Sequence, residues 1–248
     1  MVTKRKVIEK NKFTLCMPII SETELTLQKE VEKNANQYDF LEWRRDYFCP
    51  GAILTYDEEI TVLKKIKKAW SNQGIIYTFR SHLEGGAFET RDSVRLEAIR
   101  AAASLVEYVD IELNSDPDFL KCVKETLKNT GCGLILSHHN FIKTPEGNKI
   151  REIFDAMENQ GADILKLAVS PSSNRDVRQL MGASLMKNES SEKPIIAIAM
   201  GSLGVITRIA PDLCGGSLTY VAGSGTTAPG QLTREEIIIL RNSMGLQF

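Results

Sequence analysis

Gly161-Ala-Asp-Ile-Leu-Lys166-Leu-Ala-Val-Ser170 is a short apolar run with one lysine in its middle. Read as a strand, it places Asp163, Leu165, Leu167 and Val169 on one face and Ile164, Lys166 and Ala168 on the other. Its flanks decide what kind of strand this is. Pro145 to Gln160 before it and Ser173 to Lys187 after it both read as helices. A strand between two helices belongs to a βαβ arrangement, and so to a parallel sheet.

Outward from this run the alternation continues to both ends of the chain. The spacing predicts strands at Phe13 to Ile20, Tyr38 to Arg44, Ile75 to Arg80, Tyr108 to Leu113, Gly133 to His138, Asp163 to Val169, Pro194 to Met200 and Ser217 to Val221. Helices are expected between them. Glu22 to Gln37 has Ser21 as N-cap and Glu24 in the capping-box position. Asp57 to Asn72 carries Ile60, Leu63, Ile66 and Trp70 at helical spacing, with Gly74 as its C-cap signal. Arg91 to Ser104 follows, and Asp116 to Asn129 has Pro117 in its first turn. A short helix is expected near Leu203 to Ile209, and Thr233 to Met244 closes the chain with Thr233 and Glu236 as a capping box. Eight strand–helix units in 248 residues without a linker-like stretch predict one domain, residues 1–248, folded as a (β/α)8 TIM barrel. No Gly-x-Gly-x-x-Gly follows the first strand, so a dinucleotide fold has no support there.

Composition excludes several function classes. The formal net charge of −1 gives no electrostatic reason to expect a nucleic-acid partner or an anionic membrane. Runs such as Ile195 to Met200 are far too short to span a bilayer. The basic N-terminus is followed by no long apolar segment and does not read as a secretory signal. The five cysteines are scattered, with no C-x-x-C and no zinc-ligand spacing. These features predict a reduced, cytoplasmic protein with no structural metal and no cofactor.

A barrel places its chemistry at the C-terminal strand ends. There the sequence gathers charge: Glu42 and Arg44 on one face of strand two, Arg80 and then Glu84 after strand three, His138 and His139 at strand five, Lys166 on strand six, and Arg208 after strand seven. Ala222 to Gln231 after strand eight is a flexible loop with hydroxyls and an amide. Leu41, Trp43, Tyr77 and Phe79 alternate with the charged residues and would face the helices, so the charges would point into the lumen. Charge there is costly unless paired or bound to a ligand. Each residue also has a plainer reading. Glu42 and Arg44 could be a structural ion pair, and Arg80 could bridge Glu42 or Glu84. His82 reads as a solvated loop residue and Arg208 as a surface arginine. Lys166 could lie on the solvent face of an edge strand. Ser137 shares a face with His139, which makes His139 the better inward candidate of the two histidines. Asp110 and Glu112 are expected as structural partners of the inward cations. An amine among apolar neighbours loses the solvation of its charged form, and a Schiff-base lysine needs the free amine.

The motifs together resemble the type I 3-dehydroquinate dehydratases of the shikimate pathway. The resemblance runs from Glu42 to Gln231. It is carried by Asp110-Ile-Glu-Leu113 followed by Leu134-Ile-Leu-Ser-His-His-Asn140, with Glu42-Trp-Arg44, Thr78-Phe-Arg-Ser81, Glu84-Gly-Gly86, Lys143-Thr-Pro145, Lys166-Leu-Ala-Val169, Met200-Gly201, Leu203-Gly-Val-Ile-Thr-Arg208 and Ala228-Pro-Gly-Gln231 in the family's order. It implies dehydration of 3-dehydroquinate through an imine on Lys166, with His139 as general base and acid and Glu84 orienting and tuning His139. Arg208 would hold the substrate carboxylate. Glu42, Arg44 and Arg80 would bind the ring hydroxyls, and Thr227 and Gln231 would come from a lid. Family members often have serine where Thr227 stands. The resemblance also implies a homodimer.

Two other readings compete with this one. A class I aldolase-like barrel shares the lysine but needs a phosphate site near the last two strands, where this chain offers Arg208 and a glutamine-bearing loop. A non-catalytic binding barrel would be expected to lose one of Glu84, His139 and Lys166, and all three are present.

Overall fold

Tyr38-Asp-Phe-Leu-Glu-Trp-Arg44 shows how the chain builds its elements: the strand proper is Phe40–Arg44, and its two faces carry opposite chemistry. The computed structural model describes residues 5–223, 225 and 228–246. Strands and helices alternate throughout. They are β1 (Thr14–Ile19), α1 (Glu24–Asn34), β2 (Phe40–Arg44), α2 (Tyr56–Ala69), β3 (Gly74–Thr78), α3 (Asp92–Ala102), β4 (Tyr108–Glu112), α4 (Pro117–Leu127), β5 (Gly133–Asn140), α5 (Gly147–Asn159), β6 (Ile164–Val169), α6 (Asn174–Ser190), β7 (Ile195–Ala199), α7 (Ile206–Ile209), β8 (Leu218–Tyr220) and α8 (Arg234–Ser243).

Side-chain caps open α1, α2, α4, α6 and α8. Asp116 accepts from the backbone N–H groups of Asp118 and Phe119 ahead of Pro117, and Thr233 with Glu236 closes a capping box at α8. The first helix corrects the sequence reading. Its N-cap is Thr23, not Ser21, and Thr26 completes the box in place of Glu24. Thr23 has the extended backbone (φ −128, ψ 157) that an N-cap needs, while the Ser21 hydroxyl bonds Glu30. Gly74 is also not a helix C-cap. The cap of α2 is Trp70, and Gly74 opens β3. A β-carbon at Gly74 would lie 2.0 Å from the Phe40 ring, so the glycine makes room for that ring. Strand β5 runs on to Asn140, which puts His139 on the strand itself.

By its contacts the chain divides into two compact units, Met1–Val7 with Pro18–Ile135 and Ile8–Met17 with Leu136–Phe248. In the first, β2, β3 and β4 pair in parallel, with Arg44 opposite Thr78 and Thr78 opposite Asp110. Trp43 packs edge-on against Tyr77 and Phe48 at 5.6 and 5.5 Å, and all three are buried. The Tyr77 hydroxyl reaches back to donate to Glu59 on α2. This confirms that the apolar parity of β2 and β3 faces the helices. Burying each such aromatic contributes about 1.5–3 kcal/mol.

In the second unit β6 and β7 pair in parallel with Lys166 opposite Ile196, and β1 pairs with β8 with Cys16 opposite Tyr220. The Ser170 N–H donates to the Asn140 carbonyl at 3.0 Å, joining the ends of β5 and β6. Arg241 anchors α8. Its guanidinium lies 3.6 Å from the Phe13 ring centre and donates to Asp212 and to the Ile209 carbonyl.

Candidate active site

The polar parity of β2 and β3 carries the first cluster. Thr78 donates its hydroxyl to Glu42 at 2.9 Å, so the two side chains share a face. Glu42 is buried on β2. Arg44 does not make the salt bridge with Glu42 that its spacing suggested. It makes a two-pronged bond to Asp46, from Nε to Oδ1 at 2.9 Å and from Nη2 to Oδ2 at 2.7 Å. Burial opposes the charge on Arg44, but the hydrogen bonds and charge of Asp46, helped by the charge of Glu42, outweigh it and hold the guanidinium protonated.

Arg80 lies just past β3 and is 3% exposed, where an unpaired cation would be untenable. It forms salt bridges to Asp110 Oδ1 at 2.8 Å and Glu112 Oε1 at 2.9 Å, and the charges of Glu42 and Glu84 also favour its cation. Asp110 and Glu112 are thus the structural partners that strand four was expected to supply. Glu112 is shared with Arg95 of α3. Burial pushes the Glu112 carboxyl upward, but Arg80 and Arg95 together hold it below the usual carboxylate range. Glu84 is half-buried in the short turn after β3. His82 in the same turn is exposed, as its loop reading predicted, with Nδ1 3.1 Å from the Gly86 carbonyl.

The remaining candidates stand on β5, β6 and α7 and in the loop after β8. Lys166 is 4% exposed, and its Nζ sits 4.4 Å from the centre of the Tyr220 ring. The solvent-face reading of this lysine therefore fails. His139 is half-buried, and its ring stacks on Phe141 at 6.1 Å between centroids. Gln231 accepts from the Ala228 N–H at 3.3 Å. Thr227 lies outside the described residues.

Arg208 is the most telling of these residues. It is 1% exposed, not a surface arginine. Nη2 donates to the Pro229 carbonyl at 3.1 Å, while Nε and Nη1 are buried with no hydrogen-bond partner among the described residues. Desolvation alone pulls its pKa down to about 10. A buried guanidinium with unused N–H donors on separate edges is suited to an anionic acceptor such as a carboxylate oxygen.

Asp46, Arg95 and Tyr220 were not foreseen among these residues. Asp46 gave no strand signal, because β2 ends at Arg44 and Asp46 lies in the turn that follows. The signal for Tyr220 was the alternation Leu218, Thr219, Tyr220 on β8. Arg95 gave none, because an arginine on a helix normally lies on the surface. Among the described residues no group of three His, Cys, Asp or Glu is placed to hold a metal ion. Nor is any helix among them long and apolar enough to cross a membrane.

Parallel strands alternating with helices, with charged residues buried on the strands and just past their ends, define an enzyme of the (β/α)8-barrel class. The type I 3-dehydroquinase family profile matches residues 15–247. The 3-dehydroquinate dehydratase of Clostridium kluyveri is 34% identical over 232 residues, covering 90% of this chain and 89% of that one. The enzyme of the same name from Neisseria meningitidis serogroup A is 31% identical over 236 residues, covering 94% and 92%. The crystal structure of the dehydratase from Geobacillus kaustophilus superposes with a TM-score of 0.89 at 27% identity, covering 96% of each chain. That from Clostridium difficile, solved with covalently modified comenic acid, gives 0.88 at 28% identity and covers 98% of this chain and 96% of that one. The chain belongs to the type I 3-dehydroquinase family, and with it to the hydro-lyases of the shikimate pathway.

Proposed function

We propose that this enzyme converts 3-dehydroquinate to 3-dehydroshikimate by syn elimination of water through a Schiff base on Lys166. The observation that carries this reading is Arg208, a buried guanidinium whose Nε and Nη1 find no acceptor among the described residues and which can take up the substrate's carboxylate charge.

In this mechanism the Lys166 amine attacks the C3 ketone, and loss of water gives a protonated imine. His139 takes a proton from C2. The C–H electron pair moves into the imine and forms an enamine, which avoids a free carbanion. The enamine then expels the C1 hydroxyl. His139 returns its proton to that oxygen, so it leaves as water. Water finally hydrolyses the iminium, releasing product and the lysine. One imidazole can serve as base and then acid because an unperturbed imidazole changes protonation near neutral pH, and such general acid–base catalysis typically contributes on the order of 10²–10⁴-fold.

Glu84 orients and tunes His139, while Glu42, Arg44 and Arg80 bind the ring hydroxyls. Thr227 and Gln231 act from the loop after β8. Lys166 has the burial this chemistry needs, and a rigid strand beneath it. The covalent ligand of the Clostridium difficile relative supports covalent chemistry in the family. On the same reading the enzyme needs no cofactor and works in the cytoplasm as a homodimer.

Borohydride reduction in the presence of 3-dehydroquinate tests the proposal. Mass spectrometry is expected to find a reduced substrate adduct on Lys166. An adduct on another lysine, or none, overturns it.

A further inference from the structure

Asp46 lies in the short turn after β2, fully buried, and accepts four hydrogen bonds. Two come from Arg44. The others come from the Arg80 N–H at 3.4 Å to Oδ1 and the Ala87 N–H at 3.1 Å to Oδ2. Arg80 and Ala87 bracket the turn that holds Glu84. Arg44 also touches that turn, donating from Nη2 to the Gly85 carbonyl at 3.3 Å. The turn is otherwise tightly drawn. The Gly86 N–H donates to the Ser81 carbonyl at 2.9 Å, and a β-carbon on Gly86 would sit 2.2 Å from the Arg80 carbonyl oxygen. The Ser81 N–H is held by Glu112 at 2.8 Å.

We infer that Asp46 is a positioning residue for the reaction: one carboxylate fixes the Arg44 guanidinium and pins both ends of the Glu84 turn. This rests on the roles proposed above for Arg44 and Glu84. The neighbouring buried pair makes a useful contrast. Arg45 and Glu59 also form an ion pair, in which one Nε–H is shared by both carboxylate oxygens, but Glu59 sits on α2 and its other partner is Tyr77, so that pair joins a strand end to the helix layer. Asp46 instead takes all its donors from residues at the strand ends where the charged cluster lies. A carboxylate saturated by N–H donors holds them in one geometry, and loss of such a restraint displaces groups by fractions of an ångström. Displacements of that order cost roughly 10²-fold in rate.

Asp46→Asn keeps the shape but turns one acceptor into a donor facing Arg44 and either the Arg80 or the Ala87 N–H. The variant is expected to fold, to raise KM through Arg44, and to lower kcat through Glu84, with kcat/KM down by about 10²-fold. The acidic limb of its kcat–pH profile should also be displaced, which a merely structural role would not do. Wild-type kcat, KM and pH profile in folded Asp46→Asn overturn the inference. Borohydride trapping on wild-type Lys166, run alongside, reports separately on the Schiff-base reading.

Ala87→Pro gives a second route if Asp46→Asn does not fold. It deletes one donor at an exposed position and leaves the Arg44 clamp intact. It should lower kcat by about 10-fold while KM stays put. An unchanged kcat in that variant overturns the inference as well.

Discussion

The Lys166 amine lies 4.4 Å from the centre of the Tyr220 ring, with both side chains buried. An aromatic face attracts a cation, and the attraction reaches about 2 kcal/mol where water is excluded. It acts on the ammonium and equally on a protonated imine at the same nitrogen. Tyr220→Phe keeps the face and should stay within about 3-fold of wild-type kcat. Tyr220→Leu removes it and should slow turnover by roughly 10-fold or more. Rates of borohydride trapping under single-turnover conditions would separate a slower imine from a slower elimination. Equal rates in the two variants would assign the ring no part in either step.

Arg208 is expected to trade stability for binding. Keeping a desolvated, half-satisfied guanidinium in the fold costs on the order of 3 kcal/mol, given the displacement of its pKa to about 10. The penalty applies at all pH values below the folded pKa, because the group is charged in both states there. Arg208→Met should therefore unfold at higher urea than wild type, by about 1–3 kcal/mol. It should also lose roughly 10²–10³-fold in kcat/KM for 3-dehydroquinate. Urea titrations with parallel kinetics decide the matter, and a destabilised variant would contradict the assignment.

His139→Ala should abolish turnover yet still allow imine formation, since the proposed mechanism gives the two steps to different residues. Lys166→Ala should bind substrate without reacting. Appearance of the enone absorbance in either variant, beside the intact mass after borohydride, checks both. Normal dehydration by His139→Ala would remove it as the base.

Acid stability should depend on Glu112. Its folded pKa is depressed, because Arg80 and Arg95 outweigh the effect of burial. A depressed carboxyl contributes stability that is complete above its unfolded pKa, about 4.3, and is lost as pH falls through the folded value. Glu112→Gln should thus be less stable by about 3–5 kcal/mol at pH 7, having left two buried cations short of a partner. The gap from wild type should narrow below about pH 4. Denaturant unfolding at both pH values measures it.

Much of the fold was legible because each strand is bounded by turn signals and each helix repeats its apolar residues at its own period. Lys166 stood out since a lone charge interrupts an apolar run, and Asp110 and Glu112 announced themselves as acids sharing one face. The misreadings arose where the deciding partner is distant in sequence or where two local patterns compete. Ser21-x-x-Glu24 fits the capping-box pattern better than Thr23-x-x-Thr26, yet backbone geometry selects the latter. Gly74 follows a helix and so resembles a cap, but the ring that requires a glycine there belongs to Phe40 on the adjacent strand. Arg208 read equally well as a surface side chain, because nothing local says that Pro229 will cover it. Asp46 sits beyond the strand end, where alternation stops being a guide.

Arg95 extends the functional cluster outward. From α3 it donates to the Phe79 carbonyl at 3.0 Å and to the carboxylate of Glu112, which also holds Arg80, and its guanidinium lies 4.9 Å from the Phe119 ring of α4. The outer helices are therefore not a neutral jacket. Genetic drift or laboratory evolution on α3 and α4 can retune the enzyme without touching any group that meets the substrate, and beneficial second-site changes should be sought around Arg95 and Phe119.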